Sequence, residues 1–133
     1  MADSIIKDKS YKFAIRIVRL CKALNEKKEY VLSREVLRAG TYVGARVKEA
    51  QQAESRHDFI HKMSVALQNA SEAEYWLELL RDTDFIDQKA FDSLNDDCAE
   101  ILRLLTKSSN HLNKTTNSST NYQPSTINYQ LTL

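Results

Sequence analysis

A chain of 133 residues is long enough to bury one hydrophobic core and too short for two, so a single domain is expected. Two Gly, one Pro, 42% apolar and 28% charged residues are typical of helices with short connections and disfavour a sheet protein. The net charge of +1 disfavours a dedicated nucleic-acid binder, which usually carries a strongly basic total.

The near-neutral total hides an uneven distribution of charge. Residues 7–48 hold twelve Lys/Arg against four acids, a balance of +8, whereas residues 49–107 hold six against thirteen, a balance of −7. Two interpretations stay open: a basic surface for nucleic acid, or complementary faces that neutralise each other within or between subunits.

The cellular location is expected to be the cytoplasm. Cys21 and Cys98 are the only cysteines, and no export signal opens the sequence. No apolar run approaches the roughly 18 to 20 residues that a membrane span requires.

The first predicted helix covers residues 9–27. Its apolar stripe repeats at spacings of four, three and four, through Phe13, Ile17, Leu20 and Leu24. Basic residues outside this stripe and just after it are candidate phosphate contacts: Arg16, Arg19, Lys22, Lys27 and Lys28.

The second predicted helix covers residues 29–52 and carries a heptad seam. The seam consists of Val36, Gly40, Val43, Val47 and Ala50. Gly40 and Gly44 lie on neighbouring turns, and each costs a helix interior about 1 kcal/mol relative to Ala. We therefore expect another helix to approach closely at both glycines.

The third predicted helix covers residues 55–81 and begins with Ser55 and Asp58, which have the spacing of a capping box. Its seam keeps the four-three spacing, through Phe59, Met63, Ala66, Ala70, Ala73, Leu77 and Leu80. Near its end, Tyr75, Trp76 and Leu79 spread apolar surface around nearly the whole circumference. Because such a helix must be covered on all sides, this stretch predicts self-association.

The fourth predicted helix covers residues 88–107, with Asp87 as its cap and an apolar heptad stripe that includes Cys98. Four such helices with short connections predict an antiparallel up-down-up-down bundle over residues 1–107. Residues 108–133 are dominated by Ser, Thr, Asn and Gln, and we expect a disordered polar tail.

No constellation in the sequence specifies a reaction. His57 and His61 lie four apart on one helical face, but Asp58 replaces the Glu of the zinc-protease pattern and no third ligand is evident. Glu54 and His57 form only one half of a di-iron motif that must occur twice. Cys21 and Cys98 fall on apolar stripes, where a thiol is inert. We expect no enzymatic activity, metal or cofactor.

Acidic residues beside the packed seams suggest ion pairs. Glu49, Glu72 and Glu74 border the seams of the second and third helices, and Arg38 or Arg46 could pair with them. These pairs would fix helix register or contacts between subunits. The predicted interface and register residues are Glu49, Glu72 and Glu74 from these pairs, and Tyr75 and Trp76 from the apolar end of the third helix.

The segment LRAGTYVGARVKEA, residues 37–50, resembles the central helix of the proteins encoded by intervening sequences in bacterial 23S ribosomal RNA genes. Residues 52–63, together with Glu74-Tyr75-Trp76-Leu77, are similar to the next helix of that family. The resemblance spans about residues 9–107. Asn69 stands where many members have an acid, and Tyr42 where a Ser is common, so Tyr42 is a further predicted interface residue that could alter the packing between subunits.

The resemblance implies an antiparallel four-helix bundle that assembles as a homopentameric ring without an established enzymatic activity. A distant relative of this fold is the basic accessory protein of diversity-generating retroelements, which associates with a reverse transcriptase and nucleic acid. Three hypotheses follow: an oligomeric scaffold that binds RNA, DNA or a nucleic-acid-processing protein; a purely structural ring whose charges are consumed in subunit contacts; and, as the third, a metal-binding bundle.

Overall fold

Four α-helices account for almost all of the chain that the computed structural model describes, which is the backbone of residues 2–116 and the side chains of residues 4–108. The helices are α1 (Ala2–Glu26), α2 (Val31–Ala50), α3 (Arg56–Asp82) and α4 (Gln88–Thr116). Among these residues there is no strand, and no helix is long and apolar enough to cross a membrane. The prediction of an all-α chain with four helices is confirmed.

Each helix packs on two others around one shared core. α1 contacts α2 and α4, and α3 also contacts α2 and α4. The predicted seam of α2 is buried throughout, and in α3 the seam is buried from Met63 to Leu80, while Phe59 packs at its edge. The periodicity of the sequence therefore identified the core faces of both central helices.

α1 begins well before its predicted start at residue 9. Ile6 and Ser10 are both buried and continue the stripe of Phe13 and Ile17 toward the N-terminus. The polar Ser10 interrupts the apolar pattern, but its hydroxyl donates to the carbonyl oxygen of Lys7 at 3.2 Å, so its burial leaves no unpaired polar group.

α4 is longer than predicted, because it continues to Thr116 instead of ending at residue 107. The sequence becomes rich in weak helix formers after residue 107, yet a helix that is already nucleated propagates at little cost. The expected tail therefore begins with helical backbone. The rest of that prediction, over residues 117–133, lies outside the described residues.

The helix termini follow local sequence signals. The hydroxyl of Ser55 accepts from the backbone N–H of Asp58 at 3.0 Å, and the Asp58 carboxylate accepts from the backbone N–H of Glu54 at 3.3 Å. The Asp87 carboxylate accepts from the N–H of Ala90 at 2.7 Å. Both predicted caps are confirmed, although Asp58 reaches Glu54 and not Ser55 as in a standard capping box.

The connection between α1 and α2 contains Lys28, whose φ of 65° lies in the left-handed region. The N–H of Glu29 donates to the carbonyl of Leu24, and the N–H of Lys28 donates to that of Asn25, both at 2.9 Å. These two bonds form a Schellman motif that terminates α1. The same pattern ends α3 at Asp84, whose φ is 68°.

The two glycines of α2 lie where α1 comes closest. A Cβ on Gly40 would stand 2.7 Å from Cγ1 of Ile17, and a Cβ on Gly44 would stand 3.3 Å from the backbone oxygen of Ser10. The first distance is shorter than van der Waals contact allows, so Gly40 is required for this packing. α1 thus lies against α2 at both Gly40 and Gly44, the two positions where a close approach was expected.

Candidate functional site

The five candidate phosphate contacts do not form one free patch, because Arg16 is engaged within the protomer. Its Nη1 lies 2.6 Å from Oδ2 of Asp97 and 3.1 Å from the carbonyl oxygen of Ser93, and its Nη2 donates to Oγ of Ser93 at 2.7 Å. These contacts join α1 to α4. Arg16 therefore links two helices, and its charge is partly neutralised by Asp97.

The other four candidates are exposed. Arg19 and Lys22 lie on the outer side of α1, while Lys27 and Lys28 belong to the connection between α1 and α2. Nζ of Lys27 donates to the carbonyl oxygen of Phe85 at 3.2 Å and so links this connection to the one between α3 and α4. Arg19, Lys22 and Lys28 remain the cations of this set best placed for an external anion.

A groove between α1 and α2 is the feature that the sequence analysis missed. It has a volume of about 450 Å³, and its floor is made by small residues, Ala14, Gly44 and Ala45. Tyr11, which is 68% exposed, stands on its α1 side. Val18 and Leu37, exposed further along the same sides of the two helices, extend its apolar surface.

The charges of this groove have one sign. Lys7 on α1 and Lys48 on α2 line it and are exposed, and none of its lining residues is acidic. Asp8, the nearest acid along α1, pairs at 3.0 Å with Lys12. The signal for this groove was the continuation of the α1 stripe through Ser10 to Ile6, which brings Lys7 into the helix, one turn before Tyr11.

A polar network joins α2 to α3 at the predicted register residue Glu72. Arg38 donates to both carboxylate oxygens of Glu72, and its Nη2 also lies 2.9 Å from Oε1 of Glu35. Nε1 of Trp76 donates to Oε2 of Glu72 at 2.9 Å. Of the pairs left open to Arg38 and Arg46, this one joins Arg38 to Glu72.

The ionisation of this network follows from its contacts. Burial raises the pKa of Glu72, but the hydrogen bonds from Arg38 and Trp76 outweigh it, so the pKa lies below its usual range. The hydrogen bond to Glu72, and then the one to Glu35, raise the pKa of the Arg38 guanidinium. Both partners therefore remain charged at neutral pH.

The remaining predicted interface residues differ in environment. Glu49 pairs at 2.6 Å with Arg46 of the same helix, and the Arg46 guanidinium lies 5.1 Å from the ring centroid of Tyr42, which is 41% exposed. Glu74 has no ion pair with any described residue. Burial, and then the neighbouring charge of Glu78, raise the pKa of Glu74.

The apolar end of α3 is largely covered by the protomer itself. Trp76 is half-buried against the core and contacts Tyr75 edge-on, with the ring centroids 5.1 Å apart. Leu79 is also half-buried, so Tyr75, at 55% exposure, is the most open residue of this stretch. Within the protomer, Trp76 packs on the core with its indole N–H bonded to Glu72, and Tyr75 is left exposed. Self-association through this stretch stays a prediction.

A cluster of acids lies on the opposite side of the molecule from the groove, where α3 ends and α4 begins. Glu78, Asp82 and Asp92 all act electrostatically on Arg81, whose guanidinium stacks 4.1 Å from the ring centroid of Phe91. Glu74 lies close enough to Glu78 to feel its charge. Arg81 balances only one of these four carboxylates.

The histidines and cysteines considered for metal binding or catalysis do not form a site among the described residues. His57 and His61 are exposed, and no three His, Cys, Asp or Glu side chains in the described region are grouped as a metal site would need. The thiol of Cys98 donates to the carbonyl oxygen of Ala70 at 3.3 Å, and burial raises its pKa to about 12. Burial also raises the pKa of the Cys21 thiol, which donates to the carbonyl oxygen of Ser33. Neither thiol is activated as a nucleophile.

Comparison with known proteins identifies relatives of the whole helical region. A crystal structure of a protein of unknown function from the S23 ribosomal protein family of Bacteroides thetaiotaomicron is 50% identical in sequence, with a TM-score of 0.81. The match covers 83% of this chain and 99% of that one. No curated protein gives a significant match. The profile of the 23S rRNA-intervening sequence proteins matches residues 2–107, and the chain belongs to this family.

Proposed function

We propose that the protein is a non-enzymatic, homo-oligomeric four-helix bundle that acts as a binding or scaffolding module, with RNA or DNA as a candidate partner. The observation that carries this proposal is the separation of charge between two sides of the protomer. A basic groove lies between α1 and α2, and an acidic cluster lies between α3 and α4. Two surfaces of opposite charge are suited to binding other molecules.

An antiparallel up-down-up-down arrangement is part of the proposal, and contacts between helices support it. Along α1 and α2, Ser10 lies by Gly44, whereas Cys21 exchanges hydrogen bonds with Ser33, so the two sequences run in opposite directions. Between α3 and α4, Cys98 contacts Ala70 and Phe91 contacts Arg81, so a later residue of α4 meets an earlier residue of α3, as antiparallel helices require. Such a bundle exposes the outer side of every helix to a partner.

Self-assembly into a ring of five is the second part. The exposed Tyr11, Val18 and Leu37 around the basic groove, and Tyr75 beside the acidic cluster, are apolar groups that a neighbouring copy would cover. We place the ring in the cytoplasm, in keeping with two reduced, buried thiols. Light scattering of the full-length chain tests the assembly directly.

A nucleic-acid partner is supported by the exposed cations toward the C-terminal end of α1 and by the association of the family with 23S ribosomal RNA. Arg19, Lys22 and Lys28 would contact phosphates, whereas Arg16 is committed to Asp97. Contacts of this kind release counterions, so the affinity falls as salt rises.

The test is a gel-shift titration of the full-length protein with a hairpin from 23S ribosomal RNA and with duplex DNA, at several salt concentrations. We expect salt-sensitive binding that Arg19→Glu/Lys28→Glu weakens. Lys89→Glu/Lys107→Glu, which changes two exposed cations of α4 by the same charge, is the matched control and should bind like wild type. Absence of salt-sensitive binding, or an equal loss in the control, would remove the nucleic-acid partner.

A purely structural ring is the second candidate, and the position of Lys7 and Lys48 favours it. Both lysines line a groove without acids of its own, so a neighbouring copy could consume their charge. In that case the ring assembles, but the gel-shift titration shows no binding.

A further inference from the structure

The basic groove and the acidic cluster lie on opposite sides of one protomer. α1 and α3 each pack on both α2 and α4, so the four helices close in the order α1, α2, α3, α4. In such a cycle the seam between α1 and α2 is across the core from the seam between α3 and α4. The groove lies on the first seam and the acidic cluster on the second.

Each surface keeps a surplus of one sign of charge within the protomer. Lys7 and Lys48 form no ion pair with a described residue, and the groove that they line contains no acid. On the other side, Glu74 lies close enough to Glu78 to feel its charge, and neither carboxylate forms an ion pair with a described residue, although Glu78 also acts on Arg81. A surface of either kind is repelled by a second copy of itself but attracted by the other surface.

The apolar groups match as well. The floor of the groove consists of Ala14, Gly44 and Ala45, which leave room for a side chain from outside. Tyr75 projects from the same outer part of α3 as Glu78, three residues away, and is the most exposed aromatic residue of that helix. A helix that brings Tyr75 to the groove also brings its acids to the lysines.

We propose that the acidic cluster and Tyr75 of one copy dock onto the α1–α2 groove of the next copy, with Glu74 and Glu78 facing Lys7 and Lys48. The contact is head-to-tail, because each copy offers one surface of each kind on opposite sides. Such contacts generate a closed ring when the rotation between copies closes, and an open filament otherwise. This docking rests on the proposed self-assembly and states which surfaces carry it.

The test uses two charge-reversed full-length chains, Lys7→Glu/Lys48→Glu and Glu74→Lys/Glu78→Lys. We expect each chain alone to have the 15.3 kDa mass of a protomer by light scattering while circular dichroism shows an unchanged helix content. The first chain then carries acids on both surfaces and the second carries bases on both. Their mixture should therefore assemble again.

Two further chains complete the experiment. The fourfold variant, with all four reversals in one chain, should assemble by itself, since its two surfaces have only exchanged signs. Lys89→Glu/Lys107→Glu is the matched control and should keep the wild-type mass. If a reversed chain loses its helix content, Ala45→Trp replaces it, because this change fills the exposed groove without altering charge.

The outcomes separate the docking mode from the self-assembly on which it rests. A wild-type chain with the mass of a protomer would overturn the self-assembly itself. An assembled wild type whose mass survives Lys7→Glu/Lys48→Glu or Ala45→Trp, or two reversed chains that stay apart when mixed, would overturn the docking mode alone.

Discussion

Arg38 is one of the residues at which the basic and acidic halves of the sequence meet within one protomer. Its guanidinium joins Glu35 of its own helix to Glu72 of α3, and Glu72 also accepts from the Trp76 indole. The side chains of Arg38 and Glu72 are 39% and 35% exposed, so we expect the pair to stabilise the fold by no more than about 1 kcal/mol.

The pH dependence of this pair follows from the lowered pKa of Glu72. A carboxyl group whose pKa is lowered by folding stabilises the protein above its unfolded pKa, and that contribution is lost as the pH falls through the folded value. Glu72→Gln should therefore lower Tm at pH 7 by a few degrees, and the difference from wild type should shrink at pH 3. Thermal unfolding followed by circular dichroism measures it, with the exposed Glu26→Gln as control. A deficit of equal size at both pH values would contradict the assignment.

The sequence predicted the partners of this network in part. Opposite charges beside two packed seams indicated that Arg38 or Arg46 could pair with Glu49, Glu72 or Glu74, without choosing between them. The role of Trp76 was not foreseen, because heptad spacing reports which residues are apolar and not where an indole N–H points. The spacing of four between Glu72 and Trp76 was the available signal, since residues four apart on a helix are neighbours.

At the scale of elements, the two glycines of α2 measure directly how closely α1 and α2 pack. The seam of α2 and both glycines could be predicted, because a glycine in a helix interior needs a compensating approach. The start of α1 could not be predicted, because the buried Ser10 has the hydropathy of a surface residue and interrupts the apolar stripe. Missing that start left Lys7 outside the predicted helix and so hid the groove that it lines with Tyr11.

Gly40→Ala should destabilise the protein although Ala is the better helix former. The new Cβ would lie 2.7 Å from Cγ1 of Ile17, and overpacking of this kind costs about 1–3 kcal/mol. The gain of about 1 kcal/mol in helix propensity offsets only part of it. We expect a lower Tm and a lower urea midpoint.

Gly44→Ala is the comparison for that variant, because its Cβ would stand 3.3 Å from the backbone oxygen of Ser10 and the contact is less severe. Its loss of stability should be the smaller of the two. A Gly40→Ala variant as stable as wild type, or more stable than Gly44→Ala, would show that α1 and α2 are not packed this closely.

At the scale of the whole molecule, the division of charge along the sequence becomes a division in space. The balance of +8 over residues 7–48 and −7 over residues 49–107 indicated complementary faces, but not where they lie. Intramolecular pairs such as Arg16 with Asp97 and Arg38 with Glu72 use part of this charge. Of the remaining charges, Lys7 and Lys48 line the groove and four acids form the acidic cluster, and the positions of both depend on the order in which the helices pack.

The most direct test of this account is the mass of the full-length protein in solution, measured by light scattering at low and at high salt. We predict about five times the 15.3 kDa of one chain at low salt. At 1 M salt, where the Debye length is about 3 Å, the mass should fall toward that of a single chain. A mass of 15.3 kDa at every salt concentration would contradict self-assembly, and an assembly indifferent to salt would contradict its electrostatic origin.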